Sequence, residues 1–134
     1  MISTLLAVPR ARWTHRYAPG KWSVSEVVGH LADTERIFAY RALRFARNDA
    51  TPLAGFDENQ FVPPANFDAR PLPDLAEELR AVRLASVALF RRLDDAALAR
   101  RGTANQVEIT VRALPWIIAG HERHHVAVLK ERYF

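Results

Sequence analysis

The histidines carry the clearest chemical signal in this sequence. His121 and His125 are four residues apart, and two side chains at that spacing project from the same face of a helix, about one turn from each other. Their imidazole nitrogens can therefore converge on one metal ion at roughly 2.0–2.1 Å. Both histidines fall within a helical stripe of apolar residues between Leu114 and Leu129, so we expect both rings to point into the protein.

His30 is the candidate third ligand. It lies beside Val27 and Leu31, on the flank of the apolar face of another predicted helix. If that helix packs against the one that carries the pair, His30 comes to lie opposite it. Three protein nitrogens leave coordination positions open for water or a substrate, which is typical of catalytic rather than structural metal sites.

Other interpretations of these histidines stay open at the level of sequence. The spacing also fits imidazoles that are hydrogen-bonded in a core, and His124 could replace His121 or His125 as a ligand. The run from His121 to His125 also matches the H-E-x-x-H motif of zinc proteases, with Glu122 as general base. No third ligand follows at a protease-like spacing. Since each helical residue turns by about 100°, we expect Glu122 to point away from the histidines, to the surface or to a supporting partner.

Three amphipathic helices are predicted to position these side chains. Their apolar repeats place them at 23–48, 74–93 and from about 110 to near the C-terminus. The first begins with a capping box, in which Ser23 and Glu26 satisfy each other's backbone amides. Pro115 should bend the third helix without breaking it. A short helical turn is expected from Asp94 to Gly102, and residues 106–109 alternate weakly without indicating a sheet.

A proline-rich segment, residues 51–73, separates the first two helices. Pro63 and Pro64 exclude a regular helix there, while its three phenylalanines indicate a loop packed against the helices. Long ordered loops often cover a functional pocket. Asp57 and Glu58 are therefore candidate catalytic residues, either supporting the metal ligands or transferring protons. A turn cap for Asp57 and simple solvation for Glu58 fit the sequence equally well.

Four further side chains lie on the predicted first helix or shortly before it. Trp22 is expected to anchor the start of the helix in the core, like a hydrophobic staple. Arg41 and Arg44 are expected on a solvated face, with contact to an anionic substrate as the alternative. His15 is predicted to lie on the surface.

Composition restricts the class of protein. The 134 residues are 49% hydrophobic and 25% charged, a globular balance that predicts one domain over 1–134. The chain has no cysteine, which excludes disulfides and thiolate ligands and fits a cytoplasmic location. Neither a signal peptide nor a membrane span is expected. The net charge of +4 comes from arginines dispersed among acidic residues, without the basic, aromatic-interleaved run of a nucleic-acid-binding surface.

Three motifs, in order along the chain, resemble the DinB/YfiT-like superfamily: YAPGKWS at 17–23 followed by GHLAD at 29–33, GFDEN at 55–59, and GHERHH at 120–125. The resemblance implies an all-α four-helix bundle in up-down-down-up order. It also implies a divalent metal ion held by one histidine after the tryptophan-serine helix start and by an H-x-x-x-H pair on the last helix. Those positions are His30, His121 and His125. The family's helix before YAPGKWS is expected to be short or missing here, because residues 1–12 supply at most its last turns and Pro9 interrupts them.

The resemblance also implies a function. The superfamily includes S-transferases that use low-molecular-weight thiols, a mycothiol-dependent isomerase and hydrolases. We therefore expect a zinc or nickel enzyme in which an activated thiol or water attacks a small electrophile. A homodimer is expected, because a missing first helix would expose an apolar groove. The alternative is a non-catalytic, metal-stabilised bundle that acts in binding or in a stress response. Nucleic-acid and membrane partners are not expected.

Overall fold

The computed structural model describes residue 5 and residues 7–134. In chain order its elements are α1 (Val24–Ala46), α2 (Glu58–Ala65), α3 (Leu72–Arg91), α4 (Asp95–Ala99), β1 (Arg101–Ala104), β2 (Val107–Thr110) and α5 (Ala113–Arg132). Single 3-10 turns occupy Arg10–Arg12 and Phe67–Ala69. The predicted helical fold is confirmed, with one small hairpin added to it.

Helix α1 is the centre of the fold, since it packs against both α3 and α5. Its start has a local cause. The Ser23 hydroxyl accepts a hydrogen bond from the Glu26 amide at 3.0 Å, and the Glu26 carboxylate accepts one from the Ser23 amide at 2.8 Å. The predicted capping box is therefore confirmed. It satisfies two backbone donors that a helix start otherwise leaves unpaired.

Apolar side chains bury themselves in two clusters along the helices. One contains Val28 of α1 and Leu75 of α3, and the other contains Phe45 of α1 and Leu114 of α5. On α5 the two histidines lie between the residues that belong to the two clusters, and on α1 His30 lies among residues of the first cluster, next to Leu31. The packing of the two clusters therefore holds the histidine-bearing faces of α1 and α5 in register.

The prediction of a loop without regular helix at 51–73 is wrong in one part, because α2 contains both Pro63 and Pro64. The Asp57 side chain caps the start of α2 by accepting from the Asn59 amide at 2.9 Å. Both prolines fall in the last turn of this eight-residue helix, so few backbone hydrogen bonds are lost. Val62 in its middle is buried in the core, and its burial favours the helical turn.

A second correction concerns residues 101–110, where no sheet was predicted. Strands β1 and β2 form an antiparallel hairpin in which Arg101 pairs with Thr110 and Ala104 with Val107. Residues Asn105 and Gln106 have positive φ angles of 50° and 63°, which is the conformation of a type I′ hairpin turn. The turn was missed because glutamine rarely occupies its second position, where glycine is usual.

Helix boundaries differ from prediction by a few residues. Helix α3 begins at Leu72 rather than 74, because Pro71 and Pro73 both fit the start of a helix, where an amide donor is not needed. It ends at Arg91 rather than 93.

The last two helices are also shifted. Asp94 caps α4 as predicted, accepting from the Ala97 amide at 2.8 Å, but α4 ends at Ala99, and Gly102 belongs to β1. Helix α5 begins at Ala113 because residue 110 still pairs in the hairpin. Pro115 is its third residue, a position where the missing amide costs nothing.

None of the helices in the described part of the chain combines the length and apolar content needed to cross a membrane. The prediction of a short or missing first bundle helix concerns residues 1–12, of which residues 1–4 and 6 lie outside the described residues.

Candidate metal centre

Three histidine rings from two helices converge at one point. His30 projects from α1, and His121 and His125 project from α5. The Nε2 atoms of His30 and His121 are 3.0 Å apart, and those of His125 and His121 are 3.1 Å apart. One ligand atom from each residue lies within 4.8 Å of the other two. Within residues 5 and 7–134, no other group of three histidine, aspartate or glutamate side chains meets this criterion.

Hydrogen bonds alone do not satisfy three nitrogens that face one another. A neutral imidazole has one N–H and one lone pair, so Nε2 of His121 has a single proton or lone pair for two neighbours. A cation satisfies three lone pairs together. Tetrahedral ligands at the zinc–nitrogen distance lie about 3.3 Å apart, close to the observed separations. The three residues fit a divalent metal ion.

Thr34 supports the orientation of His30 in which its Nε2 atom faces the other two histidines. Its Oγ1 lies 3.3 Å from Nδ1 of His30, where it can accept the Nδ1 proton. The lone pair of that ring is then on Nε2, the atom that faces the other two histidines. Such partners on the outer nitrogen fix the tautomer and the ring orientation of metal-ligating histidines.

Burial keeps these imidazoles neutral. Desolvation, together with the proximity of His121 and His125, lowers the pKa of His30 to about 3. Desolvation, with the proximity of His121 and His124, lowers the pKa of His125 to about 4. Burial also lowers the pKa of His121. At neutral pH the lone pairs are therefore available, and a metal ion need not displace protons to bind.

Trp22 has a larger role than the predicted core anchor. It packs against the core, but its ring also lies 4.6 Å from the His30 ring and nearly parallel to the His125 ring at 6.3 Å, measured between centroids. It therefore restricts both rings and keeps water from one side of them.

His15, expected on the surface, is half-buried with its ring edge toward Tyr133.

An open cavity of about 610 Å³ lies beside the three histidines. Its large apolar lining residues are Trp22, Phe38, Phe56, Val107, Ile109 and Ile117. The hairpin forms one wall, tied to the segment before α2 by the Leu53 amide, which donates to the Thr103 carbonyl at 2.9 Å. Gly55 lies so close to the side-chain amide of Asn105 that a Cβ at this position would overlap it unless Asn105 moved. This contact accounts for the glycine of the GFDEN motif.

The structure separates the two predicted catalytic carboxylates. Asp57 caps α2 and does not line the cavity. Glu58 lines the cavity, and its charge acts to raise the pKa of His121 against the effect of burial. His124 also lines the cavity, but its ring is exposed and lies outside the group of three.

An ion-pair network that the sequence analysis missed lies beside His121. Arg83 of α3 donates Nε and Nη2 to the Glu35 carboxylate, both at 2.9 Å, and also donates to Glu122. Glu122 does not line the cavity with the histidines, as predicted, so the zinc-protease interpretation does not fit. Glu35 is 3% exposed. It follows Leu31 by one turn on the buried face of α1, and a charge in such a position is a signal for a partner.

Arg41 and Arg44, both on α1, differ in their surroundings. Arg44 is partly exposed and pairs with Asp49, in agreement with the expected solvated face. Arg41 is 6% exposed and lines the cavity, so the expectation of a solvated face is wrong for this residue.

Known proteins resemble this chain over most of its length. It is 29% identical over 119 residues to a protein of Oceanobacillus iheyensis named "Putative metal-dependent hydrolase OB0413"; the match covers 85% of this chain and 66% of the relative, just under two thirds of its length. The fold matches YfiT from Bacillus subtilis, described as "a probable metal-dependent hydrolase with an unusual four-helix bundle topology", with a TM-score of 0.83 at 21% identity over 97% of this chain and 76% of that one. It also matches the mycothiol-dependent maleylpyruvate isomerase, with a TM-score of 0.75 at 15% identity over 93% of this chain and 53% of that one.

The sequence profile described as the DinB superfamily matches residues 1–129. The helical fold agrees with this match. The chain therefore belongs to the DinB superfamily.

Proposed function

We propose that this protein is a metal-dependent enzyme in which His30, His121 and His125 hold one divalent ion, zinc or nickel. The site would activate water or a low-molecular-weight thiol for attack on a small electrophile. The observation that carries the proposal is the convergence of three neutral Nε2 atoms beside an open cavity. A structural metal site is closed by its protein ligands, whereas a catalytic site keeps a position open.

The names of the relatives support the same class of chemistry. The Oceanobacillus relative is named a "Putative metal-dependent hydrolase" and YfiT "a probable metal-dependent hydrolase", and the isomerase is described as dependent on mycothiol, a thiol. Water and a thiol are therefore the two nucleophiles to test.

The residues around the histidines have separable roles in this proposal. When bound, a divalent ion held by three neutral imidazoles lowers the pKa of water or of a thiol toward neutrality. Glu58 would accept the proton released by the nucleophile, since its carboxylate lines the cavity near His121. Thr34 would hold the tautomer of His30. Trp22 would limit access of water to the His30 and His125 rings that it packs against.

Metal content tests the proposal directly. We would measure it by elemental mass spectrometry on untagged protein, for the wild type, His121→Ala and His124→Ala. We expect about one divalent ion per chain in the wild type and in His124→Ala, and none in His121→Ala. His124 is the matched control because it is next to the cluster but outside it. Metal retained in His121→Ala and lost in His124→Ala would contradict the ligand set.

Activity and stability separate an enzyme from a non-catalytic bundle. The zinc-loaded and nickel-loaded proteins would be screened with thiols and electrophiles and with hydrolysable esters, and Glu58→Gln should slow any reaction found without changing the metal content. A protein that takes up no metal after incubation with zinc or nickel would overturn the proposal. A metal whose removal unfolds the chain, with no turnover of any substrate, would favour the structural alternative.

A further inference from the structure

Arg41 is a buried charge without a counter-charge. Its side chain is 6% exposed. The hydrogen bond that Nη2 donates to the Ala54 carbonyl, at 3.1 Å, is the only polar contact that the described residues make with it. No carboxylate of the described residues forms a salt bridge with it. Four of its five N–H groups are therefore left for another acceptor.

The surroundings of Arg41 favour an anionic partner in the cavity. Its guanidinium carbon lies 5.5 Å from the centroid of the Phe38 ring and 6.0 Å from that of the Phe56 ring. Burial lowers the pKa of Arg41, yet a guanidinium stays charged at physiological pH. A buried charge is normally paired, because two aromatic faces replace only part of its hydration. Arg44, which lies three residues further along α1, has such a partner in Asp49.

The position of Arg41 relates it to the histidines. His30, Thr34, Phe38 and Arg41 all line the same cavity and follow one another along α1. The Phe38 ring is close to both groups: its centroid is 5.5 Å from the guanidinium carbon and 6.4 Å from the centroid of the His121 ring. Arginine side chains on a helix lean toward its N-terminus, which here is the direction of His30. The cavity therefore has room for a ligand that contacts both the Arg41 guanidinium and the histidine cluster.

We propose that Arg41 binds the carboxylate of a small ligand whose apolar or aromatic body lies in this cavity beside the histidines. The planar guanidinium fork matches a carboxylate through two parallel hydrogen bonds. Arg41 is the only arginine or lysine that lines the cavity among the described residues, and Glu58 lines it as well. One cation beside one carboxylate favours a singly charged ligand over a phosphate dianion. The inference rests on the proposed function, for which it names the substrate class.

A purely structural role for Arg41, which would tether the Ala54 carbonyl, is the competing explanation. The two are separated by comparing an acid with its amide. The probes are phenylacetate and phenylacetamide, which share the aromatic body and differ in charge. Binding is measured by NMR titration of metal-free protein, so that failure of the metal proposal leaves this test unaffected. The variants are Arg41→Gln, Arg41→Lys and, as the matched control, Arg44→Gln.

The expected result is that the wild type and Arg44→Gln bind the acid at least about tenfold more tightly than the amide, since a hydrogen-bonded ion pair is worth that much. Arg41→Gln should lose this preference while its amide binding stays the same, and Arg41→Lys should keep part of it. Equal binding of acid and amide by the wild type would overturn the proposal. So would a preference that survives in Arg41→Gln. If Arg41→Gln fails to fold, the Arg41 Nε–Hε resonance in the wild type decides: it must shift with the acid and not with the amide.

A second arm identifies which reactant carries the carboxylate. Zinc-loaded protein is titrated with N-acetylcysteine and with N-acetylcysteamine, two thiols that differ by the carboxyl group. Tighter binding of N-acetylcysteine that depends on Arg41 assigns the carboxylate to the thiol. Equal binding of the two thiols, with the acid preference present in the first arm, assigns it to the electrophile. Either assignment supports the proposal.

Discussion

Acidification of the metal-free protein is expected to destabilise it through the histidine cluster. In the folded chain the pKa of His30 is about 3 and that of His125 about 4, whereas an unfolded histidine titrates near ~6.5. Between these values the unfolded chain binds more protons than the folded one. The free energy of unfolding therefore falls as the pH falls below about 6.5, and it is independent of these groups above that value.

The size of the effect follows from the two pKa values. At pH 5, an unfolded histidine is almost fully protonated while His30 and His125 are still neutral in the folded chain. The linkage amounts to roughly 2 kcal/mol for each of the two groups between pH 7 and pH 5. The total of about 4 kcal/mol is a large part of the 5–15 kcal/mol by which domains are usually stable.

The measurement is urea unfolding at pH 7 and pH 5 in the presence of a chelator, followed by circular dichroism. His30→Gln removes one of the groups, so its loss of unfolding free energy over this interval should be smaller than that of the wild type by about 2 kcal/mol. His124→Gln is the control, because this exposed side chain lies on the same helix outside the cluster. It should lose nearly as much as the wild type, because burial lowers the pKa of His121 and His125 more than the proximity of His124 does. Equal losses in all three proteins would refute the reasoning.

Three further changes test the packing that positions the site. Arg83→Met should destabilise the chain by about 2–4 kcal/mol, because it leaves the buried Glu35 carboxylate without donors. Glu35→Gln in the Arg83→Met background should recover part of this loss. Additive effects of the two substitutions on the free energy of unfolding in urea would contradict the pairing. Gly29→Ala should cost about 1–2 kcal/mol despite the better helix propensity of alanine, since its methyl group would overlap the Phe67 ring; an unchanged or higher Tm would show that the ring moves freely. Ser23→Ala should cost about 1 kcal/mol through loss of the α1 cap, whereas Ser23→Thr should keep most of the stability in the same assay.

The sequence alone predicts whatever depends on short separations along the chain. The capping box at Ser23 joins residues three apart, and the pair His121 and His125 is a consequence of helical spacing. Both could be predicted because an α-helix has one geometry, in which the relative placement of residues three or four apart does not depend on the rest of the fold. The addition of His30 to the pair came from its place on an apolar face and from the family resemblance.

Short elements were predicted poorly because their own hydrogen bonds barely stabilise them. Helix α2 continues through Pro63 and Pro64 because Val62 is buried against the core. The hairpin at 101–110 has a turn of weak sequence signal and is held by its contact with Leu53 and by its packing on Phe45. Tertiary contacts of this kind outweigh local preference, and they cannot be predicted from the pattern of about ten neighbouring residues.

Only the tertiary structure decided which polar side chains belong to the site. Arg41 and Arg44 are three residues apart on one helix, yet Arg41 is covered by the segment that contains Ala54 and Phe56, whereas Arg44 meets Asp49 at the surface. Burial and charge pairing are properties of the neighbours brought in from other parts of the chain. Helical periodicity specifies the direction in which a side chain points, and the packing of distant elements decides whether it meets water, a counter-charge or a cavity.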